Sequence, residues 1–192
     1  MQKEQDEMEK WETKDGPKFL KRIGVASGMK ILDFGARVGH YTIPAAIVVK
    51  KDETVIALDM KHESLDELEK KADSLGLNNI RTIRTDGELD LDLQSDSFDM
   101  VLVYDVLQYL KASERRDLYR EFHRIIKNGS ILSIYPKHVK EDCPMDEFER
   151  IGVEDVKNEV RASGFKFERK YCGTISHNSK LNQGCVYNFR KI

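Results

Sequence analysis

Three aspartates and two glycines stand where a chain could hold a nucleoside. Asp33, Asp59 and Asp86 lie within or at the ends of short β-branched runs, "KILDF", "TVIALD" and "IRTIRTD", and Gly35 and Gly39 follow the first of them. The embedded "DFGAR" at 33–37 has two chemical readings. As the magnesium loop of a protein kinase it would need a Gly-rich loop, a strand lysine and an HRD catalytic loop upstream. None of these precedes Asp33, so that reading fails. As the turn after a first strand it needs glycines, which permit positive φ and a close approach of backbone to ligand. Gly35 and Gly39 supply them, and the N–H groups of the following helix could then receive a carboxylate or another anion. A dinucleotide-binding G-x-G-x-x-G would need a further glycine in register, which "GARVG" lacks.

The elements that must position these residues alternate between short apolar runs and stretches of helical period, which predicts a parallel sheet with crossover helices. "KILDF" (30–34), "TVIALD" (54–59), "IRTIRTD" (80–86), "FDMVLVYD" (98–105) and "ILSIYP" (131–136) read as five strands, the fourth apolar enough to be buried on both faces. Helices are expected at "HYTIPAAIVVKK", at "ESLDELEKKADSLG" with Leu65, Leu68, Ala72 and Leu75 inward and Gly76 as its stop, at "SERRDLYREFHRIIK" with Ser113 as N-cap, and at "VEDVKNEVRASG". "FKFERKYC" and "CVYNFRK", joined by a loop "GTISHNSKLNQG" and no helix, predict an antiparallel pair at the sheet edge. The fold expected is α/β, doubly wound and Rossmann-like, with a seven-stranded, mostly parallel sheet. Residues 1–15 read as an acidic segment, helix-prone but weakly periodic, loosely docked or frayed, ahead of a single domain over 16–192.

Composition narrows the partners. With 192 residues, 40% of them hydrophobic and 34% charged, the chain suits one compact domain. Its 32 basic and 34 acidic residues give no global field for nucleic acid or an anionic membrane. No apolar run approaches the ~20 residues of a membrane span, and the acidic N-terminus resembles neither a signal nor a transit peptide, so a cytoplasmic protein is expected. Cys143, Cys172 and Cys185 lack CxxC spacing and read as free thiols of a reducing compartment, although Cys172 and Cys185 flank the terminal loop and could be neighbours. His62 and His177 show no partner at metal-ligand spacing, so no metal site is expected.

The stretches "ILDFGARVGHYTIPAA", "TVIALDMKHESLDEL", "RTDGELDLDLQSDSFDMVLVYDVLQYL" and "LYREFHRIIKNGSILSIYPK" together resemble class I S-adenosylmethionine-dependent methyltransferases, in particular the small group related to ubiquinone/menaquinone methyltransferases (type 11). The likeness covers roughly residues 17–136, and its first stretch resembles the family's D-x-G-x-G-x-G. The resemblance implies S-adenosylmethionine as cofactor, S-adenosylhomocysteine as product and an unidentified, small-molecule methyl acceptor. Carried over position by position, it implies that Asp33 and Gly35 shape the turn under the methionine part and that Gly39 opens the helix. Asp59 would accept the ribose hydroxyls, Met60 would pack on adenine, Asp86 would receive the adenine amino group with Gly87 beside it, and Tyr104 would lie near the methionine amino end and the substrate.

The sequence departs from the motif at its middle glycine, which is Arg37. Either the side chain faces solvent or caps the pocket, pairing with the cofactor carboxylate, or it weakens cofactor binding and leaves a non-catalytic, methyltransferase-like binding protein. Methyl transfer is a direct displacement that needs chiefly alignment. If an acid or base takes part, His138, Tyr109, Asp105 and His40 are placed for it by topology, whereas His123 reads as a packing residue. The run "KEDCPMDEFER" reads as a connector or substrate lid, and "YDVLQY" stands where many nucleic-acid and protein amino-methylating enzymes carry Asn/Asp-Pro-Pro-Tyr/Phe.

Overall fold

The computed structural model describes residues 2–142, 144–146, 148 and 150–192. Its elements are helix α1 (Gln2–Lys10), a π-helical turn (Trp11–Asp15), α2 (Gly16–Arg22), β1 (Ile31–Phe34), α3 (Thr42–Val49), β2 (Val55–Asp59), α4 (His62–Ser74), β3 (Ile80–Arg84), β4 (Phe98–Tyr104), α5 (Ala112–Ile125), β5 (Ile126–Tyr135), α6 (Val153–Ala162), β6 (Phe165–His177) and β7 (Lys180–Lys191). Seven strands form one sheet in the order β3-β2-β1-β4-β5-β7-β6. β1, β2 and β3 pair in parallel, as do β4 and β5, and β7 runs antiparallel to β5. This is the doubly wound, Rossmann-like α/β sheet with an antiparallel C-terminal pair. Among the described residues no helix is long and apolar enough to cross a membrane.

The chain forms two compact units: residues up to Asp86 with Cys172–Gly184, and Gly87–Tyr171 with Cys185–Ile192. In the first unit every residue of β1 and β2 is buried, as apolar parallel strands require. α4 docks through Leu65, Leu68 and Ala72 onto Ala36, Ile43 and Ala57. Leu75, expected inward, is exposed, because the helix closes at Ser74 and Gly76 turns the chain at φ 66°. Helix α3, "TIPAAIVV", is apolar all round, so one face on the sheet cannot bury it. The N-terminal helices cover the rest. Trp11 is 2% exposed, Met8, Phe19 and Leu20 are buried, and a Cβ on Gly16 would sit 2.9 Å from Pro44 Cγ. The N-terminal segment is therefore docked from Met8 onward, through Trp11 and Glu12, while residues 2–7 stay exposed.

In the second unit β4 is buried along nearly its whole length, and α5 packs Leu118, Phe122 and Ile125 inward. α5 starts two residues earlier than expected, at Ala112 with Lys111 as its N-cap and the Lys111 N–H donating to Glu114 Oε2 at 2.6 Å, so Ser113 lies in the first turn instead of capping it. β5 begins at Ile126, five residues before the expected "ILSIYP", and Gly129 at φ 75° lies in the stretch where the register against β4 shifts. The loop "GTISHNSKLNQG" likewise turns out to be strand. β6 and β7 extend through it to a two-residue turn, Asn178–Ser179, with φ of 47° and 58°, the left-handed pair of a tight hairpin. Cys172 and Cys185, now on adjoining strands, are each disulfide-bonded, which corrects the expectation of free thiols. Cys143 lies outside the described residues, as does part of the connector "KEDCPMDEFER".

Candidate cofactor site

Six of the expected residues meet in the first unit at the C-terminal ends of β1 and β2. After Phe34 the chain turns through Gly35 (φ 82°), Arg37 (φ 49°) and Gly39 (φ 89°) before α3 begins at Thr42. The Gly35 and Ala36 N–H groups both donate to Leu58 O, at 2.8 and 3.1 Å, which fastens the turn to the end of β2. Gly39 stands three residues ahead of Thr42 and its O accepts from the Ile43 N–H at 2.9 Å, leading the chain into α3, and a Cβ there would collide with Leu68 Cδ1. Its glycine is a condition of α4 docking.

Asp33 is 3% exposed and accepts a hydrogen bond from Thr42 Oγ1 at 2.6 Å, tying β1 to the first residue of α3. Burial lifts its pKa from 3.8 to about 7, the Thr42 hydroxyl working against the shift and the nearby Asp59 charge adding to it. Asp59, 7% exposed, accepts the Arg37 N–H on Oδ2 and the Lys61 N–H on Oδ1, each at 2.7 Å. A carboxylate oxygen has two lone pairs, so each retains acceptor capacity beyond its backbone donor. Met60, next in the chain, is 60% exposed. Asp86, also exposed, follows β3 by two residues.

Arg37 reproduces with an ordinary residue the left-handed backbone that the motif's glycine would supply. Its side chain is exposed, and Nη1 donates to Asn178 Oδ1 at 2.9 Å in the β6–β7 turn. Residues that the sequence reading missed surround the same loop. Trp11 Nε1 donates to His40 O at 2.8 Å, and His40 Nδ1 lies 2.6 Å from Glu12 Oε1 and its Nε2 3.0 Å from Ser179 Oγ. Lys71 Nζ donates to the same Glu12 oxygen at 2.9 Å, and Tyr41 OH donates to Ser176 O at 2.7 Å. Burial pushes the Glu12 carboxyl up, but its bonds to His40 and Lys71 outweigh that and leave it below the ordinary value. Glu12 is thus an acceptor at neutral pH, which places a proton on His40 Nδ1. His40, expected as an acid or base, is engaged structurally.

The second unit carries the remaining expected residues. Gly87 has φ 102°. Tyr104, at the end of β4, pairs its OH with Ser133 Oγ at 2.7 Å and stands edge-on to Tyr135. Asp105 (φ 60°) accepts from Gln108 Nε2 at 2.8 Å. Tyr109 and His138 flank the Phe148 ring, with centroids at 5.1 and 5.5 Å. His123 packs edge-on to Phe165, as its helix position suggested.

The family model described as a methyltransferase domain matches residues 31–129, about half of the chain. The chain belongs to the class I S-adenosylmethionine-dependent methyltransferases. S-adenosylmethionine is the cofactor that goes with this family. Among curated relatives, a sterol 24-C-methyltransferase of Aspergillus fumigatus is 26% identical over 169 residues, 83% of this chain and 44% of the relative. A demethylmenaquinone methyltransferase of Geobacillus stearothermophilus is 29% identical over 112 residues, 58% of this chain and 47% of the relative. The chain thus spans less than half the length of either. A solved structure described as an S-adenosylmethionine-dependent methyltransferase from Aquifex aeolicus superposes with a TM-score of 0.74 at 21% identity, covering 95% of this chain and 93% of that one, which shows the shared fold. These relatives do not favour the non-catalytic alternative.

Proposed function

We propose that this methyltransferase-family chain transfers a methyl group from S-adenosylmethionine to a small-molecule acceptor in the cytoplasm. The observation that carries the reading is Asp59: a buried carboxylate at the end of β2, held by two backbone N–H groups, with acceptor capacity left on both oxygens for a pair of ribose hydroxyls. When bound, the cofactor supplies an electrophilic methyl on a sulfonium and leaves as the neutral thioether. The chain's part is to bind and align. Gly35, Arg37 and Gly39 provide the turned backbone for the methionine part, Met60 an apolar face for adenine, and Asp86 with Gly87 an acceptor for its amino group. Tyr104 is assigned to the methionine amino end. Asp33, anionic when deprotonated, sits behind the turn where it favours a cationic ligand.

Relatives named for sterol and demethylmenaquinone methylation support a small and largely apolar acceptor. The near neutrality of the chain, 32 basic against 34 acidic residues, gives no support to nucleic acid. The ring group of Tyr109, His138 and Phe148 offers an apolar contact suited to such an acceptor. The test is transfer of tritiated methyl from S-adenosylmethionine to a panel of quinols, sterols and other small nucleophiles, with an RNA and a protein fraction beside them. Label in an organic-extractable product supports the proposal. Label confined to RNA or protein would refute the small-molecule acceptor.

A further inference from the structure

We propose that His40 and Glu12 are positioning residues for the cofactor, forming a clamp that fixes the turn at 35–41 before any ligand arrives; this rests on the assignment of that turn to S-adenosylmethionine. The turn is held from two elements distant in sequence. From the N-terminal helix, Trp11 Nε1 donates to His40 O and Glu12 accepts from the His40 ring. From the C-terminal hairpin, Asn178 accepts from Arg37, Ser179 meets the other His40 nitrogen, and Ser176 O accepts from Tyr41. The single imidazole bridges both elements, with one nitrogen on each.

Three features mark this as more than surface hydrogen bonding. Glu12 is 4% exposed, and an unpaired carboxylate so buried would be costly, so its two partners His40 and Lys71 are structural requirements. Lys71 projects from α4, the helix whose Leu68 lies against Gly39, so the same charge group reaches the helix beneath the turn. Arg37 departs from glycine yet keeps φ 49°, a conformation that ordinary residues hold only where surrounding contacts over-determine it. The clamp supplies those contacts. A turn ordered in advance spares a ligand the entropy of ordering it, so the clamp acts on affinity without touching the cofactor.

The test compares the wild type with His40→Ala, His40→Asn and Glu12→Gln, the last two chosen because they keep a polar group of similar reach and a fold-competent shape. S-adenosylhomocysteine affinity is read by calorimetry and turn mobility by hydrogen exchange of the amides at 35–41 in the ligand-free protein. His40→Ala is expected to weaken binding by roughly ten-fold or more and to speed exchange in the turn, while His40→Asn and Glu12→Gln each recover a part, to within about three-fold of wild type, by retaining one arm. Exchange across β1 and β2 should stay at wild-type rates, which separates positioning from general loss of stability. Equal affinity and equal exchange in His40→Ala and wild type would overturn the clamp. Failure of the wild type itself to bind would instead fall on the proposed function, and faster exchange in His40→Ala would still support the clamp.

Discussion

Replacing Asp33 by Asn should abolish a defined part of the protein's pH-dependent stability. Asp33 is buried behind the turn, accepts from Thr42 Oγ1 and titrates in the folded state at about 7 against 3.8 ordinarily. A raised carboxyl pKa means that the folded state holds a proton that the unfolded chain gives up first. Stability is then full below about pH 4, falls as pH rises through the window to about 7, and is level above it. At 1.36 kcal/mol per pKa unit, the loss between pH 5 and pH 8 comes to about 2.5 kcal/mol. Glu12 is shifted the other way: its contribution is present above its unfolded value and is lost only as pH falls below it, outside this window. Every other titratable group is common to both proteins, so the difference between wild type and Asp33→Asn isolates the carboxyl. Urea unfolding followed by circular dichroism at pH 5, 6, 7 and 8 measures it. The wild type should lose about 2.5 kcal/mol relative to Asp33→Asn across that range. Parallel profiles for the two proteins would refute the assignment of the window to Asp33.

Further substitutions probe the packing, two at the turn after β1 and a pair in the second unit. Arg37→Gly relieves a left-handed backbone worth about 1–2 kcal/mol but loosens the unfolded chain by about 0.5–1 kcal/mol and forfeits the bond to Asn178, so urea midpoints should place it within about 1 kcal/mol of wild type. Its affinity for S-adenosylhomocysteine should stay within about three-fold of wild type, and a gain beyond ten-fold would show that Arg37 obstructs the site. Gly39→Ala puts a Cβ against Leu68 at positive φ and should cost about 3 kcal/mol in the same unfolding assay. In the second unit Arg115 is buried and donates to both oxygens of Glu159, at 2.9 and 2.8 Å, and to Leu110 O at 2.7 Å; Arg115→Ala should cost about 3 kcal/mol, and adding Glu159→Gln should recover part of it.

The parallel strands were legible because burial on both faces leaves a continuous apolar run, as in "TVIALD" and "FDMVLVYD", and the expected cofactor residues fall at the ends of such runs. The N-terminal segment read as helix-prone, but its docking was not legible, for a geometric reason. The π-helical turn at Trp11–Asp15 adds residues per turn and shifts the phase between Met8 and Phe19, so their common burial shows no 3.6-residue period. A signal did exist: α3 is apolar all round, which demands a second cover, and Trp11, Phe19 and Leu20 are the large apolar residues just upstream. The C-terminal antiparallel pair was legible, but the reach of its strands through "GTISHNSKLNQG" was hidden because the turn is Asn178–Ser179, with no glycine to mark it, and because "GTISH" places one apolar residue among polar ones. With the turn itself unplaced, neither the partner of Arg37 nor the one at His40 Nε2 could be read. The Arg37 question itself turned on backbone conformation, and a residue type does not reveal whether an arginine will accept a left-handed φ.

The turn after β1 and the carboxylate ending β2 are proposed to form one cofactor site. Calorimetric titration of the purified protein with S-adenosylhomocysteine, wild type beside Asp59→Ala, tests this, with circular dichroism establishing that the variant is folded. A single saturable site is expected in the wild type and its loss in Asp59→Ala. Absence of binding in the wild type, or equal affinity in a folded Asp59→Ala, would rule the shared site out.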